Sequence, residues 1–310
     1  MAEADNTLAG LVQMNDQNLA DLDVSDLLQD APLLSVLYAQ SASNGTLHKY
    51  TKETVAAGAG FRALNAGIAN AAPQEELVTD TLKLLDASFS RDKGLAMGYG
   101  KGKDAYMAKE MMKSVRASFF ALESQILAGT NANASGFNGL ADDMADLNDA
   151  FVVDATGASA GTGSSCYLVR EGMDAVSVIM GNDGNLDVGE IYETEKLDGS
   201  SNPYTALAIA ILGWGGLQVG SIYDAARIAN LTAETGKGLT DDLIASAISK
   251  FKAGRQPSYI VCNRRSLMQL QKSRTATSTT GAPAPFPIEA FNIPIISTDG
   301  IGNTETLLTT

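Results

Sequence analysis

Several groups of residues in this chain have types and spacings that chemistry could use. Gly98-Tyr99-Gly100-Lys101-Gly102-Lys103 looks like a phosphate-binding loop, in which backbone N–H groups cradle an anion beside a lysine. It lacks the Gly-Lys-Ser/Thr ending and no strand-like run leads into it, so a break between two helices is the better reading. Gly161-Thr162-Gly163-Ser164-Ser165 fails in the same way, with no lysine at its end. Asp183-x-Asn185-x-Asp187 opens like a calcium loop, yet Val188 stands where the sharp turn needs glycine and Thr194 where the bidentate glutamate belongs. A solvated turn accounts for it better. His48 is the only histidine, so a Ser-His-Asp or Cys-His machinery would have to be built on it. Cys166 and Cys262 lie far apart without CxxC spacing, which points to two buried thiols rather than zinc ligands or a disulfide framework. No catalytic set emerges, and neither a cofactor nor a metal is expected.

One cationic stretch stands out. Lys250, Lys252, Arg255, Arg264, Arg265, Lys272 and Arg274 follow one another with no acid between them, in a chain whose net charge is -14. Aromatic stacking partners for nucleic acid are few there, so an edge that meets an acidic edge of another subunit is the favoured reading. The overall charge argues against gripping nucleic acid or an anionic membrane, but not against enclosing nucleic acid, where weak repulsion prevents sticking. With 310 residues, 45% apolar and 19% charged, the chain has the composition of a globular protein with ample core. The first residues show no basic and apolar regions of a secretory signal, and no apolar run approaches the length of a membrane span.

The elements that must position these residues can be read from periodicity. Residues 103–128 form the longest run free of Gly and Pro. Ala108, Met112, Val115, Phe119, Leu122 and Ile126 recur there at alternating spacings of four and three, which predicts a long amphipathic helix. Lys109, Glu110, Lys113, Arg116 and Glu123 fall off that stripe. Residues 1–45 carry seven acids and no Lys or Arg, a segment expected to lie along something else. Leu47 to Ile68 reads as a two-stranded excursion with a flexible tip at Gly58 and Gly60, and Val78, Leu82 and Leu85 suggest helix. Strands are expected at 166–169, 175–180, 186–195 and 219–228. Thr240 should cap a helix carrying Leu243, Ile244, Ala247, Ile248 and Phe251. A buried strand at 259–262, a helix capped by Asn263, a loop over 275–287 and closing strands at 293–297 and 304–308 complete an α+β pattern without regular βαβ alternation.

The order of these segments resembles the major capsid proteins of tailed double-stranded DNA phages with the Hong Kong 97-type fold, in particular the epsilon15 and Bordetella phage group. Phe61-Arg62-Ala63-Leu64-Asn65-Ala66-Gly67 is similar to the motif after that family's extended loop. Gly129-Thr130-Asn131 with Phe137-Asn138-Gly139-Leu140 resembles the motif after its long helix. Tyr167-Leu168-Val169-Arg170, Asp187-Val188-Gly189-Glu190, Trp214 with Gly216-Leu217, and Arg227-Ile228-Ala229-Asn230 look like its successive strands. Ile293-Pro294-Ile295, Asp299 and Asn303-Thr304-Glu305 resemble its closing segment. Val219-Gly220-Ser221-Ile222-Tyr223-Asp224 departs from the family's Val-Arg-Asp-Trp-Arg-Tyr. The match runs from about Leu47 to Leu308.

The resemblance implies an N-terminal arm at 1–45, an extended loop at 46–75, a peripheral domain at 76–235 with a spine helix at 103–128, and an axial domain at 236–310. It implies a non-enzymatic subunit that assembles as hexamers and pentamers into an icosahedral shell around phage DNA, without sequence-specific binding. A separate scaffolding protein, a portal and a decoration protein would be its partners, and assembly would take place in the host bacterial cytoplasm. Lys49, Lys52, Phe61, Arg62, Lys250, Lys252 and Arg255 are the expected subunit contacts. A cellular shell protein enclosing cargo, or a nucleotide-binding enzyme using the glycine cluster, would be the alternatives.

Overall fold

The computed structural model describes residues 28–68, 72–184, 186–277 and 282–309. Most of the acidic N-terminal segment, Asn185 of the calcium-like triplet and residues 278–281 of the small-residue loop lie outside them. After a 3-10 turn at Pro32–Ser35 come β1 (Ala39–Ser41), β2 (Leu47–Val55), β3 (Gln74–Thr81), β4 (Lys83–Asp86) and β5 (Phe89–Asp92). Three helices follow, α1 (Lys93–Met97), α2 (Lys103–Ala128) and α3 (Leu140–Asp143). The chain then makes β6 (Val152–Asp154), β7 (Ser164–Val169), β8 (Val176–Met180), β9 (Asp187–Val188), β10 (Tyr192–Leu197), β11 (Pro203–Ile209), β12 (Ile211–Val219) and β13 (Ala225–Leu231). It closes with α4 (Asp241–Ile248), β14 (Tyr259–Cys262), α5 (Arg264–Thr277), β15 (Glu289–Ala290) and β16 (Ile293–Ser297).

Helix α2 has the predicted bounds, set at both ends by glycines in left-handed backbone: Gly102 at φ +92° and Gly129 at φ +58°. Val115, Phe119, Leu122 and Ile126 are buried as the stripe requires. The first half of the stripe is corrected, because Ala108 and Met112 are exposed while Met107 is buried. The off-stripe acids are corrected too. Glu110 is covered by Arg91 and Lys113, at 2.8 and 2.7 Å, and Glu123 is wholly buried.

Behind α2 lies the sheet β1-β8-β12-β4, with β9 also on β12. Strand β12 runs straight through Gly213-Trp214-Gly215-Gly216, as the resemblance of Trp214 and Gly216-Leu217 to a family strand implies. The glycines serve close approach: a Cβ on Gly216 would stand 2.5 Å from Leu82 Cδ2, and one on Gly215 3.2 Å from Leu122 of α2. A small sheet β10-β11-β5 extends from this layer.

The largest sheet has the order β15-β16-β14-β7-β13-β6 and takes strands from both sides of residue 235. Its two faces are both buried, which explains why β7 and β13 are apolar or small along nearly their whole length. Period-two alternation divides β7 between two cores. Cys166 and Leu168 pack with Ile228, Ile244 and Leu267 beneath α4 and α5, and Tyr167 and Val169 pack with the core around α2.

Four further expectations are corrected. The return strand of the excursion is β3, not a segment before Ile68, and the ladder pairs Leu47 with Thr81 through to Val55 with Gln74. The spacing of Val78, Leu82 and Leu85 was therefore read with the wrong period. A spacing of four keeps residues on one face of a strand as well as a helix, and β3 and β4 break at Leu82. Val219 ends β12, and a turn closed by Asp224 N–H donating to Ser221 O separates it from β13 at 3.1 Å. Residues 304–308 form no ladder beyond a bridge between Gly163 and Glu305. Side chains hold that segment instead. The helix caps stand as read, with Thr240 accepting from Leu243 N–H at 3.3 Å and Asn263 from Ser266 N–H at 2.8 Å.

Candidate subunit-contact surfaces

Strands β2 and β3 leave the body as a two-stranded ribbon, and residues 56–68 lie beyond the last rung of the ladder. Phe61 and Leu64 are fully exposed there. A two-stranded ribbon is marginal in water and two bare large apolar side chains gain nothing from it. Arg62 donates to Ala66 O at 3.0 Å and so shapes the tip.

The ribbon is fastened to the body along its length, from His48 near its base to Glu53 near its outer end. Glu53 accepts from Arg255 at 2.6 Å and lies 3.7 Å from Lys252, whose ammonium stands 3.9 Å from the centre of the Tyr223 ring. Lys52 pairs with Asp143 at 3.3 Å, and His48 Nε2 meets Gln218 Oε1 at 2.7 Å. Glu53 N–H donates to Gly220 O at 3.0 Å. This accounts for His48, which is buried in a structural contact rather than poised over a nucleophile. Clefts of about 500 and 570 Å³ flank the ribbon, the first lined in part by Tyr50, Lys52 and Asp143, the second by Glu53, Arg170 and Arg255.

The sequence-derived contact residues thus divide. The structure brings Lys252 and Arg255 together on Glu53, next to Lys52, near the outer end of the ribbon's ladder. Phe61 and Arg62 lie at its tip, Lys49 is exposed on β2 and Lys250 is exposed after α4. The Arg255 hydrogen bond holds the Glu53 carboxyl below its ordinary range. Its stabilising contribution is therefore present at neutral pH and is lost as pH falls through that lowered folded value. Arg255→Ala is expected to cost roughly 1 kcal/mol and to speed hydrogen exchange across 47–55 selectively, as mass spectrometry would read. Unchanged exchange there would mean the ion pairs do not fasten the ribbon.

Two buried charged groups that the sequence reading missed tie distant segments together. The carboxylate of Glu123 accepts from Leu33 N–H at 2.8 Å and Leu34 N–H at 3.3 Å, at the start of the 3-10 turn, and from the Thr298 hydroxyl. Burial pushes its pKa up. A signal existed: Glu123 lies four residues after Phe119 and three before Ile126, on the same helix face. Arg227 donates to Ser165 Oγ at 2.9 Å and Met144 O at 2.9 Å, pairs with Glu305 at 3.3 Å and lies over the Tyr167 ring. Asn230, at φ +57°, accepts from Leu308 N–H at 2.8 Å and donates to Leu308 O at 3.1 Å. The Arg227-to-Asn230 motif therefore fixes the irregular closing segment.

The glycine cluster joins α1 to α2, with Gly98 capping one and Gly102 the other. Among the described residues, no group of His, Cys, Asp and Glu is arranged to hold a metal ion, and no helix is long and apolar enough to cross a membrane.

No curated protein matches the sequence. Among solved structures, bacteriophage Epsilon15 superposes with a TM-score of 0.64 at 20% identity, over 88% of this chain and 88% of that one. The fold is therefore the Hong Kong 97-type capsid fold. The capsid of bacteriophage JBD30 decorated with minor capsid protein trimers gives a TM-score of 0.46 at 12% identity, over 94% and 95% of the two chains. An encapsulin complex from Synechococcus elongatus gives 0.40 at 10% identity, over 64% and 87%. The family model described as major capsid protein GP7 matches residues 16–309, and with that extent of match the chain belongs to the GP7 family of major capsid proteins.

Proposed function

We propose that this major capsid protein assembles as hexamers and pentamers that close into an icosahedral shell around phage double-stranded DNA. The observation that carries this reading is the ribbon, whose strands are fastened to the body and whose tip bears bare Phe61 and Leu64. Those side chains gain burial only against another copy. In this reading the extended loop, expected at 46–75, runs on through β3 to Thr81, and residues 1–45 act as an arm. The peripheral lobe is built on α2 and the sheet behind it. The axial lobe is residues 236–310 together with β6, β7 and β13, whose strands share its sheet. Lys49, Phe61, Arg62 and Lys250 contact neighbouring subunits directly, and Lys52, Lys252 and Arg255 set the angle at which the ribbon reaches them. The net charge of -14 suits a wall along which DNA slides without sticking. A separate scaffolding protein, a portal and a decoration protein complete the particle, assembly takes place in the host cytoplasm, and the subunit carries out no catalysis.

Replacing residues 57–72 by a short Gly-Ser turn preserves both strands of the ladder. It is expected to leave a folded subunit, by circular dichroism, that forms no closed shells in negative-stain microscopy. Normal shells from this variant would remove the role given to the tip.

A further inference from the structure

Cys166 and Cys262 play no part in the shell reading, and the fold does with them what their sequence separation conceals. Strands β7 and β14 are antiparallel neighbours, and their register sets Cys262 directly opposite Cys166. Both residues are fully buried, as free thiols, in the core beneath α4 and α5. The neighbouring Cys262 thiol together with burial raises the Cys166 thiol well above its ordinary range.

Directly opposed residues in an antiparallel ladder have Cα atoms about 4.5–5.5 Å apart. Disulfides span Cα separations of about 4.4–6.8 Å, so the backbone already stands at a bridging distance. The Cβ atoms of opposed residues lie about 4.5–5.5 Å apart. A bridge must draw them to about 3.8 Å, which leaves some strain and makes the bond readily reducible.

We propose that Cys166 and Cys262 are a latent redox site, which closes as a cross-strand disulfide when a small uncharged oxidant of the hydrogen peroxide class reaches it. One thiolate attacks a peroxide oxygen. The O–O bond breaks, hydroxide leaves and takes up a proton as water, and that sulfur becomes a sulfenic acid. The second thiolate attacks the same sulfur and forms the S–S bond as the hydroxide departs, again as water. Two thiols are oxidised and one peroxide is reduced to two waters. The products are no larger than the reactants, so the site needs room only for peroxide to enter. Full burial keeps the pair slow to react in the reduced state. Once closed, the bridge encloses the chain from β8 to α4, a loop of about 100 residues, and locks two neighbouring strands of the largest sheet together.

The experiment treats the purified full-length protein with hydrogen peroxide at mildly alkaline pH, then alkylates it with iodoacetamide under denaturing conditions. Peptides are mapped by mass spectrometry with and without dithiothreitol. The expected result is parallel loss of both thiols, a linked Cys166–Cys262 peptide pair lighter by two hydrogens, and a thermal midpoint raised by roughly 5 °C or more. Dithiothreitol should reverse all three. Cys166→Ser should instead yield a sulfenic acid at Cys262 that dimedone traps, with no rise in midpoint. The inference is overturned by sulfinic acid at either cysteine of the wild type without a linked pair, by two thiols that stay alkylatable, or by the same thermal shift in the serine variant. The alkylation of the wild type decides the matter even where that variant folds poorly.

Discussion

Glu123→Ala is expected to lower the stability of the subunit by about 3 kcal/mol, because it strips acceptors from two buried backbone N–H groups and one buried hydroxyl at once. Leu33 and Leu34 are themselves wholly buried, so water cannot replace the lost carboxylate without opening the segment that carries them. The damage should therefore spread in two directions from α2. Hydrogen exchange should rise across 31–37 and, on the other side, across 297–301, with less change in the sheets. A variant whose exchange rises around residue 123 alone would show that the carboxylate does not join these segments. Glu123→Gln keeps one acceptor oxygen and should cost less than the alanine variant, within about 1 kcal/mol.

The pH dependence distinguishes the two variants further. The folded pKa of Glu123 is raised, with burial the first cause. The folded state thus holds this proton more tightly than the unfolded chain does. The associated stability is fully present below the unfolded carboxylate value and is lost as pH rises through the raised folded value. Denaturation of the wild type followed upward from mildly acidic pH should show that loss, and Glu123→Gln should flatten it. A wild-type profile identical to that of the glutamine variant would remove the titration from the account.

Arg227→Ala is expected to be at least as costly, roughly 3–5 kcal/mol, since it removes a buried guanidinium from a carbonyl, a hydroxyl, an aromatic face and a carboxylate together. Glu305 would keep its hydrogen bond from Ser165 at 2.6 Å but lose its countercharge in a half-covered site. The closing segment has no ladder to fall back on, so residues 303–308 should become the first part of the chain cut in limited proteolysis. Arg227→Lys retains the charge but only a single-point donor, and should recover less than half of the loss. Proteolysis that begins elsewhere at wild-type rates would contradict the pinning role of Arg227.

Much of the fold follows from local pattern. Residues 103–128 make a helix because nothing in them breaks one and glycines flank both ends. Thr240 and Asn263 act as caps because their side-chain oxygens reach N–H groups within their own first turns. Strands 166–169, 175–180, 259–262 and 293–297 were legible within a residue or two, as continuous apolar runs between turn residues. Each of these features is decided by residues within one or two turns or pleats of one another.

The failures have the complementary cause. The partner of β2 lies beyond a long tip, so the return strand depended on a pairing that no short window contains. Gly213 to Gly216 lie mid-strand where Leu82 and Leu122 approach closely, which the family resemblance implied but local pattern did not. Glu123 and Arg227 look like surface charges until the 3-10 turn at Pro32–Ser35, the closing segment and the loop after α3 surround them. The cysteines, far apart in the sequence, meet because two antiparallel strands settle into one register. Sequence alone determined the α+β class, the long helix α2, the caps of α4 and α5 and the acidic balance, since propensity, periodicity and charge are properties of neighbouring residues. Only the tertiary structure decided which charges are buried, where the ribbon returns and which thiols meet, because burial and strand register are set by contacts between segments distant along the chain.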